Sequence, residues 1–251
     1  MNKMNKFKNT LKLVKTFFDK EKTEFWIEAG TALGVYRDND ILPWDHDIDI
    51  AIWYDCMPAE SKFEDFFSAN GYQVIIQKDF VYIDNIIQLK RNNNDGNYID
   101  IDIYLYKETE NHAVMRWINT PIGSFAKTKQ ILLYGFNKFL NLKKDNKYIN
   151  RFFFKNFLFL SIFKVFLYVY INTTYCYSHT FPKKYFKDLT DFQVYDISIK
   201  LPSDIEGFLA FRYGDGWKIK DQNYNQQGKW KKAQARKKQC MNFIPMPAFR
   251  K

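Results

Sequence analysis

The sequence is poor in the residues that mark several common classes of protein. Its 251 residues include only three cysteines, Cys56, Cys176 and Cys240, which are widely spaced and odd in number. They form neither a disulfide framework nor a cysteine metal cluster, and they fit a reducing compartment. The basic N-terminus is followed by no apolar core or small-residue cleavage site, so we expect no secretory signal there. These absences favour a cytoplasmic protein.

Acidic residues are fewer than basic residues in the sequence. The chain has 38 lysines and arginines against 28 aspartates and glutamates, a net charge of +10 at pH 7. A basic balance of this size favours nucleotides, anionic lipid surfaces or nucleic acid as partners. Zinc-finger spacing, an RRM signature and a helix-turn-helix pattern are all missing from the sequence, so we expect no nucleic-acid partner. The length suits one domain, or a domain with a subdomain.

The first hundred residues predict an α/β sheet core. Apolar residues recur at helical spacing over 6–22 and again over 58–70, where Asn70-Gly71 is a typical helix stop. Short runs rich in β-branched and aromatic residues predict strands over 24–28, 48–52, 72–77, 80–82, 86–90 and 98–106. The cluster of asparagine, aspartate and glycine at 92–97 predicts a turn between two of these strands.

Asp47 and Asp49 lie two residues apart at the start of an apolar run that predicts a buried strand. Because successive side chains on a strand point to opposite faces, the two carboxylates share a face, with Asp45 in line just upstream. Neighbouring carboxylates repel each other unless a cation lies between them, and their hard oxygen atoms suit Mg²⁺ or Mn²⁺. A lone D-x-D pair is also common at solvated strand ends, so this pattern alone leaves both interpretations open.

Two further features favour the metal site. A second acidic strand follows, in which Asp100 and Asp102 alternate with isoleucines and therefore share a face. A third carboxylate on a neighbouring strand is what a site for two metal ions needs. Upstream, Gly30-Thr31 predicts a tight turn whose N–H groups and hydroxyl can meet a phosphate. A glycine turn followed by acidic strands is the layout of a site for phosphoryl or nucleotidyl transfer.

These motifs resemble those of the LicD/fukutin family, which includes bacterial phosphocholine transferases and the animal fukutin and fukutin-related proteins. The resemblance covers about residues 20–220, without the middle, and rests on three segments: Gly30-Thr31-x-Leu33-Gly34-x-x-Arg37 with Ile41-x-Pro43-Trp44-Asp45-x-Asp47-Ile48-Asp49, then Ile101-Asp102-Ile103-Tyr104, and finally Arg212-Tyr213-Gly214-Asp215-x-Trp217. It implies a nucleotidyltransferase-like fold, a mixed sheet with flanking helices and an aromatic-rich, helical C-terminal half. Tyr104-Leu105 stands where the family has Phe-Pro, and His46 where bacterial members often have Asp.

The resemblance also implies an activity and roles for individual residues. The enzyme would move a phospho-alcohol, with phosphocholine favoured, from a CDP-linked donor to a hydroxyl of a glycan or lipid-linked glycan, and release CMP. Asp47, Asp49 and Asp102 would hold Mg²⁺ or Mn²⁺ and carry catalysis, with Asp102 or Asp100 as general base. The residues expected to contact substrate are Gly30, Thr31, Gly34, Arg37, Trp44, Asp100 and Asp215.

Several of these residues have a purely structural alternative. Arg37 is either a phosphate clamp or a surface partner of Asp38 or Asp40. Trp44 either stacks on cytosine or, as is more common beside proline, packs. Other residues have two interpretations as well: Glu28 lines the pocket or closes a strand end, Asp215 contacts substrate or belongs to a helix stop, and His46 is packed or lies behind the ligands.

The middle of the chain carries a long aromatic run over 152–171. Three interpretations compete: a buried core helix, an interfacial helix lying on a membrane, and a true span. Lys155 and Lys164 interrupt the run, and a central lysine costs roughly 2.5–3.5 kcal/mol on insertion, which disfavours a span. Basic residues flank the run, so a peripheral position at the inner face of an anionic membrane fits it. A second basic run, over 229–238, is a solvated face or an arm for phosphates or lipid headgroups.

The domain organisation follows from these features. We expect a nucleotidyltransferase-like catalytic core over 1–125, an aromatic and basic helical insertion over 126–180, and a C-terminal part of the same domain with a basic tail over 181–251. Two other functions stay open: transfer of a nucleotidyl group from an NTP to a small acceptor, and a non-enzymatic adaptor at a membrane surface. The adaptor leaves the clustering of carboxylates unexplained.

Overall fold

A computed structural model describes residues 2–76, 86–91, 97–116 and 178–220. The predictions for 80–82, for most of the turn cluster at 92–97, for the aromatic run at 152–171 and for the basic run at 229–238 lie outside the described residues. Apart from Arg116 and Ser178, the described residues belong to one compact unit. This unit combines the N-terminal part of the chain with residues 179–220.

The described elements include both helices and strands. The helices are α1 (Lys3–Glu21), α2 (Ala29–Asp38), α3 (Glu60–Ala69), α4 (Lys184–Lys187) and α5 (Ile205–Tyr213), with 3-10 turns at Tyr54–Cys56 and Asp215–Lys218. The strands are β1 (Trp26–Ile27), β2 (Asp47–Trp53), β3 (Tyr72–Ile76), β4 (Ile86–Arg91), β5 (Asp100–Glu108), β6 (His112–Arg116), β7 (Ser178–Pro182), β8 (Leu189–Val194) and β9 (Ile197–Pro202).

The main sheet is mixed and runs in the order β1-β2-β5-β4-β3, with β6 pairing to β5 and to β7. Strands β2 and β5 are parallel neighbours, and their register places Asp47 opposite Asp100 and Asp49 opposite Asp102. Strands β1 and β4 flank this central pair in antiparallel orientation. The predicted α/β class, a mixed sheet with flanking helices, is confirmed.

The burial pattern of the central strands decides where the acids lie. On β2 the isoleucines alternate with the aspartates and are fully buried, and on β5 Ile101 and Ile103 are buried in the same way. Because alternate side chains point to opposite faces, this buried face leaves the aspartates together on the other. Aromatic rings of α1 and α3 pack on one another, with the ring centres of Phe17 and Phe67 separated by 4.9 Å.

The described part of the C-terminal half holds three strands as well as two helices. Strands β8 and β9 form an antiparallel hairpin, in which Ile197, Ile199 and Leu201 are buried while the residues between them are not. Helix α5 begins at Asp204, whose side chain accepts a hydrogen bond from the Gly207 N–H, and it ends at Gly214, which has φ +83°. Within the described ranges, no helix has the combination of length and apolar character that crossing a bilayer requires.

Candidate active site

Three carboxylates meet at the boundary between β2 and β5. Asp47 and Asp49 on β2 and Asp102 on β5 each offer an oxygen atom, and these atoms lie within 4.8 Å of one another. The parallel register produces this arrangement, because it sets Asp49 and Asp102 side by side on the same face of the sheet. Carboxylate oxygens grouped in this way are the donor set that Mg²⁺ or Mn²⁺ takes in proteins.

The electrostatics of this acid cluster (Asp47, Asp49 and Asp102) favour a bound cation. Burial, and then the negative charges of Asp47 and Asp102, raise the pKa of Asp49 well above its usual value, although Arg212 acts in the opposite direction. Burial and the charge of Asp102 also raise the pKa of Asp47, with Lys90 opposing. The carboxylates therefore have more negative charge than their surroundings neutralise, and a divalent cation with oxygen ligands fits the site.

Asp45 adds a fourth carboxylate to the site. The sequence analysis placed it in line with Asp47 and Asp49 but assigned it no role. Its Oδ2 is buried and has no hydrogen-bond partner among the residues that the structure describes. Burial, and then the charge of Asp47, raise the pKa of Asp45 to about 6, with Lys3 opposing. A Cβ atom on Gly30 would lie 2.8 Å from this Oδ2, so the absence of a side chain at Gly30 gives Asp45 its place.

Gly30-Thr31 forms the first turn of helix α2, where the sequence predicted a tight turn. The residue with left-handed backbone geometry lies one position earlier, at Ala29, which has φ +51°. Thr31 is fully buried, and its Oγ1 accepts a hydrogen bond of 2.9 Å from the Asp49 N–H. The hydroxyl therefore ties α2 to β2, and the N-terminal backbone of a ten-residue helix is the part suited to a phosphate.

Gly34 and Arg37 lie farther along α2, where both make structural contacts. A Cβ atom on Gly34 would lie 2.7 Å from the Asp40 carbonyl oxygen, so this glycine allows the chain after α2 to pass close to the helix. The Arg37 guanidinium donates two hydrogen bonds of 2.9 Å to the Asp38 carboxylate and one of 3.2 Å to the Trp217 carbonyl. Arg37 thus has the structural partner Asp38, and it links α2 to the 3-10 turn at Asp215–Lys218.

The remaining predicted substrate contacts occupy different surroundings. Trp44 is half-buried in the turn before β2, which a hydrogen bond of 3.1 Å from the Asp45 N–H to the Leu42 carbonyl closes. Asp100 accepts a hydrogen bond of 3.0 Å from the Arg91 N–H and forms an ion pair with Lys90. Asp215 is exposed at the start of its 3-10 turn. His46, expected either to be packed or to lie behind the ligands, is exposed.

Strand β4 brings two residues to the site that the sequence analysis did not identify. The Gln88 amide donates to Asp102, with Nε2 at 3.3 Å from Oδ1, and Lys90 Nζ lies 3.5 Å from the same oxygen. The antiparallel register of β4 and β5 sets Gln88 directly opposite Asp102. The sequence of β4 alone does not predict that register, because the register of a strand depends on its partner as well.

A second network missed by the sequence analysis surrounds Glu28, which is fully buried. Its carboxylate accepts hydrogen bonds of 3.1 Å from Trp26 Nε1 and from the Tyr106 hydroxyl, and it forms an ion pair with Arg212 of α5. Glu28 is therefore the buried partner of a cation, which neither of its predicted alternatives described.

Tyr104 of β5 contacts Asp49, an acid-cluster residue on the neighbouring strand β2. Its hydroxyl donates a hydrogen bond of 3.1 Å to Asp49 Oδ1. Burial and the neighbouring Asp49 raise the pKa of Tyr104 well above its usual value, so the hydroxyl stays protonated. The two-residue period of β5 was a signal for this contact, because Tyr104 follows Asp102 by two positions and shares its face.

Known proteins resemble parts of the chain. Residues 22–131 match the family model described as LicD/FKTN/FKRP, nucleotidyltransferase domain. The ribitol-5-phosphate transferases FKTN of Macaca fascicularis and Homo sapiens are each 26% identical over 132 residues, which are 53% of this chain and 26% of the relative. Ribitol 5-phosphate transferase FKRP of Mus musculus is 33% identical over 58 residues, which are 23% of this chain and 11% of that protein. The chain thus matches only about a quarter, or less, of the length of these relatives.

A solved structure is also similar. It is the lincosamide antibiotic adenylyltransferase LnuA with bound lincomycin, which has 12% sequence identity and a TM-score of 0.42, over 92% of this chain and 98% of that one.

Proposed function

We propose that the chain is a metal-dependent phosphotransferase, because residues 22–131 match the family model described as LicD/FKTN/FKRP, nucleotidyltransferase domain, which is the family that their motifs resemble. It moves a phospho-alcohol from a CDP-linked donor to a hydroxyl of a glycan or lipid-linked glycan and releases CMP. The observation that carries this proposal is the acid cluster, whose three carboxylates converge on one point of the sheet.

Asp47, Asp49 and Asp102 would hold Mg²⁺ or Mn²⁺. The ion, when bound, neutralises the charge that develops on the transferred phosphoryl group and on the departing CMP. The protein supplies the fixed parts of this site. Thr31 anchors the backbone of Asp49, while Gln88 and Lys90 hold the Asp102 carboxylate from β4.

In this proposal, residues of the chain bind the CDP-linked donor and accept the proton of the attacking hydroxyl. The N-terminal backbone of α2, at Gly30 and Thr31, binds a phosphate of the donor through its N–H groups and the helix dipole. Asp102 accepts the proton of the attacking hydroxyl as general base. Asp100 is the second candidate for that role, and its carboxylate pairs with Lys90 and accepts a hydrogen bond from the Arg91 N–H.

The donated group is the finer part of the proposal. The sequence alone favoured phosphocholine, whereas the curated relatives are named as ribitol-5-phosphate transferases. We therefore place phosphoribitol first and phosphocholine second among the candidates. The two differ in chemistry, since a quaternary ammonium needs an aromatic cage and a polyol needs hydrogen-bonding groups.

The experiment that tests the proposal is CMP release from CDP-ribitol, CDP-choline, CDP-ethanolamine and CDP-glycerol, with Mg²⁺ or Mn²⁺ and a mixed glycan acceptor extract. We expect CMP from one donor, and we expect EDTA and Asp49→Asn each to abolish its release. The matched control is Asp55→Asn, which alters an exposed aspartate just beyond β2 and should leave CMP release unchanged.

Three outcomes would contradict the proposal. An active, metal-stimulated Asp49→Asn protein would remove the acid cluster from the mechanism. Pyrophosphate released from NTPs, with no CMP from any CDP-alcohol, would replace phosphotransfer by nucleotidyl transfer. Neither product, from a folded protein that binds no metal, would favour the adaptor function.

A further inference from the structure

Asp49 is fixed in place at three atoms by three different elements. Its N–H donates a hydrogen bond of 2.9 Å to Thr31 Oγ1 of α2, and its carbonyl accepts one of 3.0 Å from the Glu28 N–H beside β1. Its carboxylate accepts the third, of 3.1 Å, through Oδ1 from the Tyr104 hydroxyl of β5. The first two bonds fix the backbone, and among the residues that the structure describes the Tyr104 bond is the one that orients the carboxylate.

The Tyr104 hydroxyl is itself held rigidly. The side chain is 7% exposed, and it projects from the central strand of the sheet. A tyrosine has only two side-chain torsions to order, and the strand backbone and the packed surroundings set both of them. The donor therefore has a fixed position from which it contacts a single oxygen of Asp49.

We propose that Tyr104 is a positioning residue, which fixes Asp49 Oδ1 and leaves Oδ2 as the oxygen that binds the cation. The inference rests on the metal dependence of the proposed function. Groups that hydrogen-bond to a metal-binding carboxylate orient it, and their loss typically lowers metal affinity by about 10- to 100-fold. Without the hydroxyl, the Asp49 carboxylate is free to rotate away from the position that it shares with Asp47 and Asp102.

Strand β5 provides a matched control two residues farther along. Tyr106 is also buried and also donates a hydrogen bond of 3.1 Å to a carboxylate, but its acceptor is Glu28 Oε1. Tyr104→Phe and Tyr106→Phe both keep the aromatic ring and both remove one buried hydrogen bond. Their effects on stability should therefore be similar, whereas only Tyr104→Phe removes a contact to the acid cluster.

The test is Mn²⁺ binding to the metal-free full chain, measured by calorimetry and by the loss of the free-ion EPR signal. We expect Tyr104→Phe to raise the dissociation constant for Mn²⁺ by about 10-fold or more, and Tyr106→Phe to leave it within about 2-fold of the wild-type value. In the CMP assay, Tyr104→Phe should need more metal for half-maximal activity and should recover most of its turnover at saturating Mn²⁺. Thermal unfolding of both variants confirms that each is folded.

The outcomes separate this inference from the proposed function. Equal Mn²⁺ affinities for Tyr104→Phe and Tyr106→Phe, with binding and CMP release intact in the wild type, would overturn the role of Tyr104 alone. A wild-type protein that binds no Mn²⁺ would overturn the metal-dependent function and the positioning role with it. A lower turnover for Tyr104→Phe at every metal concentration, with unchanged Mn²⁺ affinity, would also overturn the positioning role.

Discussion

Asp45 shows how burial and like charge act on a single side chain. Its Oδ2 has no described hydrogen-bond partner, it lies against Gly30, and its pKa is raised to about 6. A carboxyl group whose pKa is higher in the folded state stabilises the fold while it is protonated. That contribution is complete below about pH 4, the pKa range of an unfolded aspartate, and it is lost as the pH rises to about 6.

We therefore expect Asp45→Asn to stabilise the metal-free protein at neutral pH. A difference of about two pKa units sets an upper limit of about 3 kcal/mol on the gain, and imperfect pairing of the new amide reduces it. The measurement is the free energy of unfolding in urea between pH 4 and pH 8, with EDTA present. The free energy of unfolding of the wild-type protein should fall between about pH 4 and pH 6, and this fall should be smaller in the variant.

Asp55→Asn is the control for this prediction, because Asp55 is exposed in the 3-10 turn after β2. It should retain the pH dependence of the wild-type protein. Identical stability curves for Asp45→Asn, Asp55→Asn and the wild type would mean that the Asp45 carboxyl is not under the repulsion that its surroundings indicate.

The sequence predicted the chemistry of single residues well where a period fixed their direction. Asp47 and Asp49 could be placed on one face of their strand, and Asp100 and Asp102 on one face of theirs, from the two-residue period alone. Arg37 could not be placed, because its direction depends on the Asp38 carboxylate beside it and on a carbonyl of the distant residue Trp217. A charged residue that pairs with an adjacent residue and with a distant one has no periodic signal that predicts these partners.

At the level of elements, helix α5 contributes Arg212 to the buried network around Glu28. This guanidinium pairs with Glu28, which is fully buried and also holds Tyr106 and Trp26. The same helix residue lies close enough to Asp49 to oppose the rise in its pKa. A short helix near the end of the described chain therefore provides a positive charge that acts on Asp49 of the acid cluster.

Removal of the Arg212 charge should strongly destabilise the folded protein. We expect Arg212→Met to lower the free energy of unfolding by about 3–5 kcal/mol, because it leaves the Glu28 carboxylate buried without a cation. The double variant Glu28→Gln with Arg212→Met should recover part of that loss, since the glutamine is neutral. Chemical denaturation of the two single variants and the double variant measures the coupling.

Lys218→Met is the control in the neighbouring 3-10 turn, where an exposed lysine pairs with an exposed glutamate, Glu206. It should change the stability little, because exposed ion pairs are screened by water. A similar, small effect for Arg212→Met would show that the Glu28 carboxylate is not dependent on Arg212.

The elements themselves were predictable to different degrees. Strands β2 and β5 follow directly from their alternation of aspartate and isoleucine, and helices α1 and α3 follow from apolar residues at helical spacing. The start of α2 was not predicted, because Gly30-Thr31 has the composition of a turn. The structure places both residues in the helix that begins at Ala29, which has φ +51°. The pairing of β4 with β5 was also inaccessible, since register depends on partners and not on either strand alone.

At the scale of the whole molecule, the net charge of +10 makes an anionic surface the expected partner. We propose that the full chain binds vesicles containing phosphatidylserine at low salt through electrostatic attraction. Binding should fall steeply in about 0.5 M NaCl, because salt screens charges beyond a few ångströms. Co-sedimentation with such vesicles, and with neutral phosphatidylcholine vesicles as control, measures it.

The lysines of the run at 229–238 provide the matching variant. Their replacement by glutamine should weaken binding to anionic vesicles, by about 1 kcal/mol for each lysine near the surface. Equal binding of the wild type to neutral vesicles, unaffected by salt, would contradict the electrostatic proposal. That result would instead favour insertion of the aromatic run at 152–171 into the interface.

For the molecule as a whole, the fold class could be predicted from the sequence, but the long-range contacts within the chain could not. The fold class and the shared face of the aspartates on each strand follow from local patterns, because they depend on the alternation of residues within single strands. The contacts that complete the site are long-range: 184 residues separate Arg212 from Glu28, and 55 separate Tyr104 from Asp49. No local pattern encodes such pairs, since they exist only once the chain has closed on itself.

The distance along the chain between Glu28 and Arg212 has a consequence for biosynthesis. As the protein is made, the strands that carry the aspartates leave the ribosome long before helix α5 does. Until then Glu28 has no arginine to neutralise it, and a sheet that closed early would bury that charge alone. We expect a nascent chain halted before residue 205 to remain sensitive to protease, and one that has released Arg212 to become resistant.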